Sequence, residues 1–96
     1  NYNVGLGKDA MQTNTTGYQN SALGFEALHS NTTGADNTAI GYQALRSATG
    51  VGISNTAVGS GSLYSSTTSI NHSALGYRSL YSNTTGALNT AVGYYG

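Results

Sequence analysis

Cysteine, proline and tryptophan are all absent from this sequence, and only 6% of its residues are charged. Without cysteine, the chain has neither a disulfide framework nor thiol chemistry. Three basic and three acidic residues give a formal net charge of zero, which speaks against nucleic acid or an anionic membrane surface as a partner. No apolar run approaches membrane-spanning length. We therefore predict no nucleic-acid partner and no membrane insertion of this segment.

About half of the chain consists of four small residue types, since Gly, Ser, Thr and Asn supply 49 of the 96 positions. A disordered chain of such low complexity would carry high charge or many prolines, and this chain has neither. Its apolar residues recur at fixed places instead, which favours an ordered structure.

The organising feature is a repeated sequence motif. It reads Asn-Thr-Ala-Ile-Gly-Tyr-Gln-Ala-Leu at 37–45 and recurs in variant form at 20–28, 55–63 and 72–80. Its central glycine recurs in steps of 17, 17, 18, 17 and 17 residues. The six anchor glycines are Gly7, Gly24, Gly41, Gly59, Gly76 and Gly93. A fixed period of this size is typical of stacked repeats. We interpret 1–96 as a single tandem-repeat segment of five full coils and a partial sixth, a fragment of a longer fibre.

Strands fit this period better than helices. A glycine in the middle of every repeat would cost about 1 kcal/mol in a helix, and known helical repeats need more than about 30 residues. We therefore predict an all-β fold, a parallel β-solenoid (β-roll) with about 17 residues and two short strands per coil. Each coil should close through a turn rich in Asn, Thr and Gly, as at 14–17, where Asn and Gly tolerate positive φ.

Alternation along the strand assigns its two faces. Ala39 and Gly41 share one face, and Ile40 and Tyr42 share the other. We expect the small residues to line the coil and Leu45 to seal the next strand. The second face is uncharged and largely apolar, so it needs cover. The same stripe on neighbouring copies would supply that cover, which predicts a homo-oligomer, most simply a homotrimer. The predicted interface residues are Leu23, Phe25, Ile40, Tyr42, Val58, Leu75, Tyr77, Val92 and Tyr94.

The phrases Asn-Thr-Ala-Val-Gly (55–59 and 89–93) and Asn-Thr-Ala-Ile-Gly (37–41) resemble the repeat of trimeric autotransporter adhesin heads. The longer phrase, with Tyr-Gln-Ala-Leu and then Asn-Thr-Thr-Gly, is similar to repeats of phage tail fibres and related bacterial surface proteins. The resemblance covers nearly the whole chain. It implies a trimeric, left-handed parallel β-roll and a role in attachment outside a cell or on a virion. The adhesin repeat is shorter, and the surplus here falls in the Asn-Thr-Thr-Gly turn.

Few residues could support catalysis or metal binding. Asp9 and Glu26 occupy equivalent positions in successive repeats, and we call such a set of positions a column. The same column continues with Gln43 and Arg78, which indicates a solvated face. His29 has no second ligand at metal spacing. His72 stands where the other coils have asparagine, and we interpret it as a turn residue. We predict no enzymatic activity, no cofactor and no metal site.

Two further columns allow alternative interpretations. The tyrosine column that includes Tyr42 and Tyr77 can be a sugar-stacking platform, but an aromatic ladder along the stack is the preferred interpretation. The asparagine column that includes Asn20 and Asn37 is interpreted as a hydrogen-bonded turn ladder, with a binding surface as the alternative. Four asparagines also match the N-glycosylation pattern. These possible glycosylation sites are Asn14, Asn31, Asn71 and Asn83.

The leading functional hypothesis is a structural repeat module of an extracellular fibre, either a phage tail fibre or a bacterial surface adhesin, that serves attachment to a host or surface. Its expected location is extracellular, on a cell surface or a virion, and its expected partners are copies of itself and a cell-surface receptor or glycan. One alternative is a surface- or glycan-binding solenoid of the ice-binding kind. Another is a self-polymerising extracellular filament.

Overall fold

Six short parallel strands stack in chain order into one sheet in the computed structural model, which describes residues 2–48, 53–67, 71–82, 84 and 87–95. Each strand pairs in register with the strand one coil later, as Thr38 does with Thr56. The strands are β1 (Val4–Leu6), β2 (Ser21–Leu23), β3 (Thr38–Ile40), β4 (Thr56–Val58), β5 (Ser73–Leu75) and β6 (Thr90–Val92). The prediction of an all-β parallel solenoid with about 17 residues per coil is confirmed.

The expectation of two strands in every coil is wrong. Among the described residues, the second side of the coil is paired only through single-residue bridges, from Tyr18 to Ala35 and from Ala35 to Ile53. No helix is present in that part of the chain either. Most of each coil is therefore turn, and one three-residue strand per coil forms the sheet.

The strands end after three residues because a glycine with positive φ follows each of them. Gly41 has φ +130°, and a Cβ atom there would lie 2.7 Å from the carbonyl carbon of Gly59 in the next coil. Only glycine adopts this backbone and allows this close approach. The anchor glycine is thus the point where the chain turns out of the sheet.

Among the described residues, fifteen other than glycine also have positive φ. In the second coil they are Glu26, Leu28 and Asp36, with φ of 57°, 52° and 58°. Such a backbone costs an L-residue about 1 kcal/mol or more. Hydrogen bonds between coils offset that cost: the N–H of Glu26 donates to Lys8 in the preceding coil, and the N–H of Leu28 donates to Ala44 in the following coil, both at 3.0 Å. The positive-φ backbone of these residues therefore depends on the stacking of one coil on the next.

The closing turns differ from the expectation of positive φ. Neither Asn14 nor Gly17 has a positive φ. Glycine is required at position 17 for another reason, since a Cβ atom there would lie 2.5 Å from the carbonyl oxygen of Gly34. The turn glycine thus serves close packing between coils.

The core is narrow and built from small residues and leucines. The central strand residue is a buried alanine in β2 to β5, and Leu28, Leu45 and Leu63 are fully buried. The predicted inward position of Ala39 is confirmed, and Leu45 is packed in the same core. Each fully buried leucine contributes about 2 kcal/mol of hydrophobic stabilisation. Hydrophobic burial along the coil axis therefore holds the coils together.

A ladder of buried side-chain amides runs beside this core, just before each strand. The Oδ1 of Asn37 accepts hydrogen bonds from the N–H of Asn55 at 3.0 Å and from its Nδ2 at 2.9 Å. Asn20 accepts the same pair of bonds from Asn37. We name this column the asparagine ladder; its members are Asn3, Asn20, Asn37, Asn55, His72 and Asn89. The hydrogen bonding predicted for this column is confirmed, but the column lies just before the strands and not in turns.

His72 is part of this ladder, so its interpretation as a turn residue is wrong. Its side chain is fully buried. Its N–H donates to the Oδ1 of Asn55 at 3.0 Å, and its Nδ1 accepts the N–H of Asn89 at 3.2 Å. Imidazole can replace the amide because a neutral ring also offers one acceptor nitrogen.

Candidate functional site: the outer face of the sheet

The outer face of the sheet presents two parallel rows of side chains, because the middle residue of every strand points inward. The apolar row carries branched aliphatic residues at the end of each strand, and the hydroxyl row carries Ser or Thr at the start of β2 to β6. Leu23, Ile40 and Leu75 of the apolar row are 45%, 39% and 50% exposed. The apolar row is Leu6, Leu23, Ile40, Val58, Leu75 and Val92. The hydroxyl row is Ser21, Thr38, Thr56, Ser73 and Thr90.

Two shallow apolar grooves lie between these rows. One has a volume of about 250 Å³ and extends from Thr56 and Val58 to Thr90 and Val92. The other has a volume of about 270 Å³ and lies between Val4 and Ile40 at the start of the sheet. Both lack charged lining residues. Their shape suits apolar side chains of another surface better than a small molecule, because both grooves are only partly enclosed.

An aromatic row follows the apolar row one residue beyond the anchor glycine. Phe25 stacks on Tyr42 with ring centroids 5.5 Å apart, and Tyr77 stacks on Tyr94 at 5.2 Å. Ser60 separates the two pairs. The predicted stacking along the coil axis is confirmed for these pairs. The exposed flanks of the rings extend the uncharged surface of the sheet.

The structure places all nine predicted interface residues in these two adjacent rows. Phe25 and Val58 are half-buried, and the other seven are exposed. Two cations lie against the aromatic row: the Nζ of Lys8 is 5.7 Å from the ring centroid of Phe25, and the Cζ of Arg78 is 5.2 Å from that of Tyr77. The apolar row itself is uncharged along the whole stack.

The predicted glycosylation sites lie in different environments. Asn31 is fully buried and its Nδ2 donates to the Oδ1 of Asn14 at 2.9 Å, so the folded chain does not present it for modification. Asn14 is half-buried. Asn71 is exposed, and its glycosylation stays a prediction. Asn83 lies outside the described residues.

One group of charged and polar side chains lies at the corner of the coil that follows the anchor glycine. Arg46 Nε donates to Glu26 Oε1 at 3.0 Å, and Gln43 Nε2 donates to the same oxygen at 2.8 Å. These hydrogen bonds, that of Arg46 first, hold the pKa of the Glu26 carboxyl below its ordinary value, although partial burial opposes them. The hydrogen bond to Glu26 likewise raises the pKa of Arg46. The column predicted to face water is thus half-buried at Glu26 and Gln43, and the hydrogen bond between these two residues links one coil to the next.

A second group on this corner was not identified from the sequence. Tyr64 and Tyr81 stack at 5.0 Å, and the Cζ atom of Arg78 lies 4.9 Å from the ring centroid of Tyr81. The signal for the stacking was present, because these tyrosines share a column exactly one period apart. The position of the guanidinium depends on its rotamer, which the sequence does not specify.

Over the ranges that the structure describes, no cluster of three or more His, Cys, Asp or Glu side chains is placed to bind a metal ion. In those same ranges no helix has the length and apolar character to span a membrane.

No protein-family model, curated protein or solved structure matches this chain. The class of fold, a parallel β-solenoid of short coils, therefore rests on the chain's own strand order and register.

Proposed function

We propose that this chain is a structural repeat module of an extracellular fibre, a phage tail fibre or a bacterial surface adhesin, which assembles as a homotrimer and serves attachment. The observation that carries the proposal is the exposed apolar row on the outer face of the sheet. Leu23, Ile40 and Leu75 each leave roughly two fifths to one half of their surface in water. Soluble monomers rarely expose a long contiguous apolar surface of this kind.

Covering the apolar row is energetically favourable, and the stabilisation increases with every coil. Completing the burial of a half-exposed leucine or isoleucine contributes about 1 kcal/mol, and the row contains four such residues and two valines. No charged side chain on the row would have to lose its hydration. The gain therefore scales with the length of the fibre.

A second copy of the same chain is the natural cover. Copies related by a rotation axis parallel to the stack would present the same rows to that axis at every coil, and such cyclic assemblies close on themselves. The resemblance of the repeat to trimeric adhesin heads supports three copies. The aromatic row would then lie at the margin of the contact.

Size-exclusion chromatography with light scattering tests the assembly. We expect a particle of three times the chain mass of 9.8 kDa. Ile40→Lys should shift the particle toward monomer, because each copy would place a charge in the buried contact. Thr16→Lys adds the same charge at an exposed turn residue and should leave the trimer intact. A folded monomer from the unaltered chain would overturn the proposed trimer.

The hydroxyl row favours a second candidate, a solenoid that binds an ordered surface such as ice. Thr56, Ser73 and Thr90 are exposed on the sheet, and no hydroxyl of the row makes a hydrogen bond to the described residues. This candidate competes with the trimer for the same face. Thermal hysteresis that Thr56→Lys abolishes would support it, and a solution with no hysteresis would remove it.

A further inference from the structure

Arg78 is the one charged residue in the second half of the sequence, because no Asp, Glu, Lys or other Arg follows Arg46. The other two cations both have acidic partners. Lys8 lies 3.1 Å from Asp9, and Arg46 lies 3.0 Å from Glu26. Arg78 has no such partner among the described residues. Its charge is therefore the one that remains available to a ligand.

Tyrosine rings surround the guanidinium of Arg78. Its Cζ atom lies 4.9, 5.2 and 5.5 Å from the ring centroids of Tyr81, Tyr77 and Tyr95. Tyr64 extends this surface by stacking on Tyr81 with ring planes 10° apart. We name this group the Arg78 cluster; its members are Arg78, Tyr64, Tyr77, Tyr81 and Tyr95.

Most hydrogen-bond donors of this guanidinium are unused within the described part of the chain. Arginine carries five N–H donors, and its single side-chain hydrogen bond runs from Nη1 to the Oη of Tyr95 at 3.0 Å. Arg78 is half-buried and Tyr95 is 54% exposed, so the cluster opens to solvent. It thus combines a cation, unused donors, tyrosine hydroxyls and flat aromatic surfaces.

A glycine in the preceding coil creates the space for this cluster. A Cβ atom at Gly61 would lie 3.1 Å from Cγ of Arg78 and 3.3 Å from Cδ2 of Tyr81. Asp9, Glu26 and Gln43 occupy the equivalent position in earlier coils. The cluster is therefore a local feature of the fourth and fifth coils and not a property of the repeat.

We propose that the Arg78 cluster recognises a carboxylate-bearing sugar. The planar fork of arginine matches a carboxylate through two parallel hydrogen bonds, and exposed tyrosine rings combine an apolar surface for a sugar ring with a polar hydroxyl. A single cation is too little charge for nucleic acid, which requires many phosphate contacts. This inference rests on the proposed attachment function and names its ligand class.

The location of the cluster is compatible with assembly. Tyr77 belongs to the aromatic row, whereas Tyr64, Tyr81 and Tyr95 lie outside the two rows assigned to the contact between copies. A trimer that covers the apolar row would therefore leave the guanidinium accessible at the edge of the contact. Each copy would carry one site.

Calorimetric titration of the full 96-residue chain with 3′-sialyllactose tests the proposal, with lactose as the uncharged match and acetate as the carboxylate alone. We expect sialyllactose to bind at least about tenfold more tightly than either control, since one charge-assisted pair is sufficient for this difference. Equal affinity for lactose, or for acetate, would overturn the proposal.

Matched variants locate the site. Arg78→Gln should weaken sialyllactose binding by about tenfold, whereas Arg46→Gln makes the same charge change at a paired arginine and should not. Tyr81→Ala should weaken binding, and Tyr18→Ala, at an exposed tyrosine outside the cluster, should not. Unchanged affinity in Arg78→Gln would overturn the assignment. Light scattering on the same variants keeps the two proposals separate, because loss of sugar binding with an unchanged particle mass concerns this site alone.

Discussion

Two columns of asparagines run along the stack, and only one of them is continuous. In the asparagine ladder, every described coil supplies an acceptor to the next, and His72 preserves this through its ring nitrogen. The second column, which we name the interrupted column, reads Asn14, Asn31, Ala48 and Ser66 over its described positions. Its third member has no polar side chain.

The interruption leaves polar atoms without partners. Within the part of the chain that the structure describes, the Oδ1 of Asn31 and the Oγ of Ser66 are buried and make no hydrogen bond. These atoms belong to the coils on either side of Ala48. A ladder thus differs from a set of independent contacts: one apolar substitution affects the coil before it and the coil after it.

The largest expected effect comes from breaking the continuous ladder. Asn37→Ala would remove the acceptor of two buried donors, the N–H and the Nδ2 of Asn55. Each buried hydrogen bond lost in this way costs roughly 1–3 kcal/mol, so we expect a loss of about 3 kcal/mol in the free energy of unfolding. Urea denaturation followed by circular dichroism measures this loss.

The matched control is the same truncation in the interrupted column. Asn31→Ala removes one short hydrogen bond, to the half-buried Asn14, and it also removes an oxygen that already lacks a partner. We expect a loss of about 1 kcal/mol. Equal losses for Asn37→Ala and Asn31→Ala would show that continuity of the ladder carries no stability of its own.

Repair of the interrupted column should give a smaller, opposite effect. Ala48→Asn would place an amide donor toward the Oδ1 of Asn31 and an acceptor toward the Oγ of Ser66, so we expect a gain of about 1 kcal/mol in the free energy of unfolding. Ala48→Leu adds comparable bulk without polar atoms and serves as the control. If the leucine variant were as stable as the asparagine variant, the orphaned atoms would not be the cause.

The hydrogen bonds of Glu26 to Arg46 and Gln43 link neighbouring coils at the surface, and only this link should respond to pH. We expect its effect on stability to be smaller than those of Asn37→Ala and Ala48→Asn. Because Arg46 and Gln43 lower the pKa of Glu26 in the folded chain, Glu26 adds stability above its unfolded pKa and loses it as the pH falls through its folded pKa. The difference in melting temperature between the unaltered chain and Glu26→Gln should therefore vanish in acid. The loss caused by Asn37→Ala should persist, since amides do not titrate. A constant difference for Glu26→Gln at all pH values would contradict the assigned link.

Regular positions were predictable from the sequence, and exceptional ones were not. Ala39 and Leu45 were assigned correctly because strict periodicity identified them as members of small and large apolar columns. His72 was misassigned because a lone substitution in a polar column carries no sign of burial. Arg78 occupies a column whose residue type changes from coil to coil, and nothing in that column indicates which rings its side chain contacts.

The sequence by itself determined the period, the parallel register and the inward alanine column, because a repeat of fixed length allows equivalent residues to stack only on one another. The tertiary structure alone decided that each coil has one strand instead of two, and that residues such as Glu26 and Leu28 adopt positive φ. Local preference disfavours that backbone. Hydrogen bonds to the coils on either side stabilise it, and they exist only once the coils have stacked.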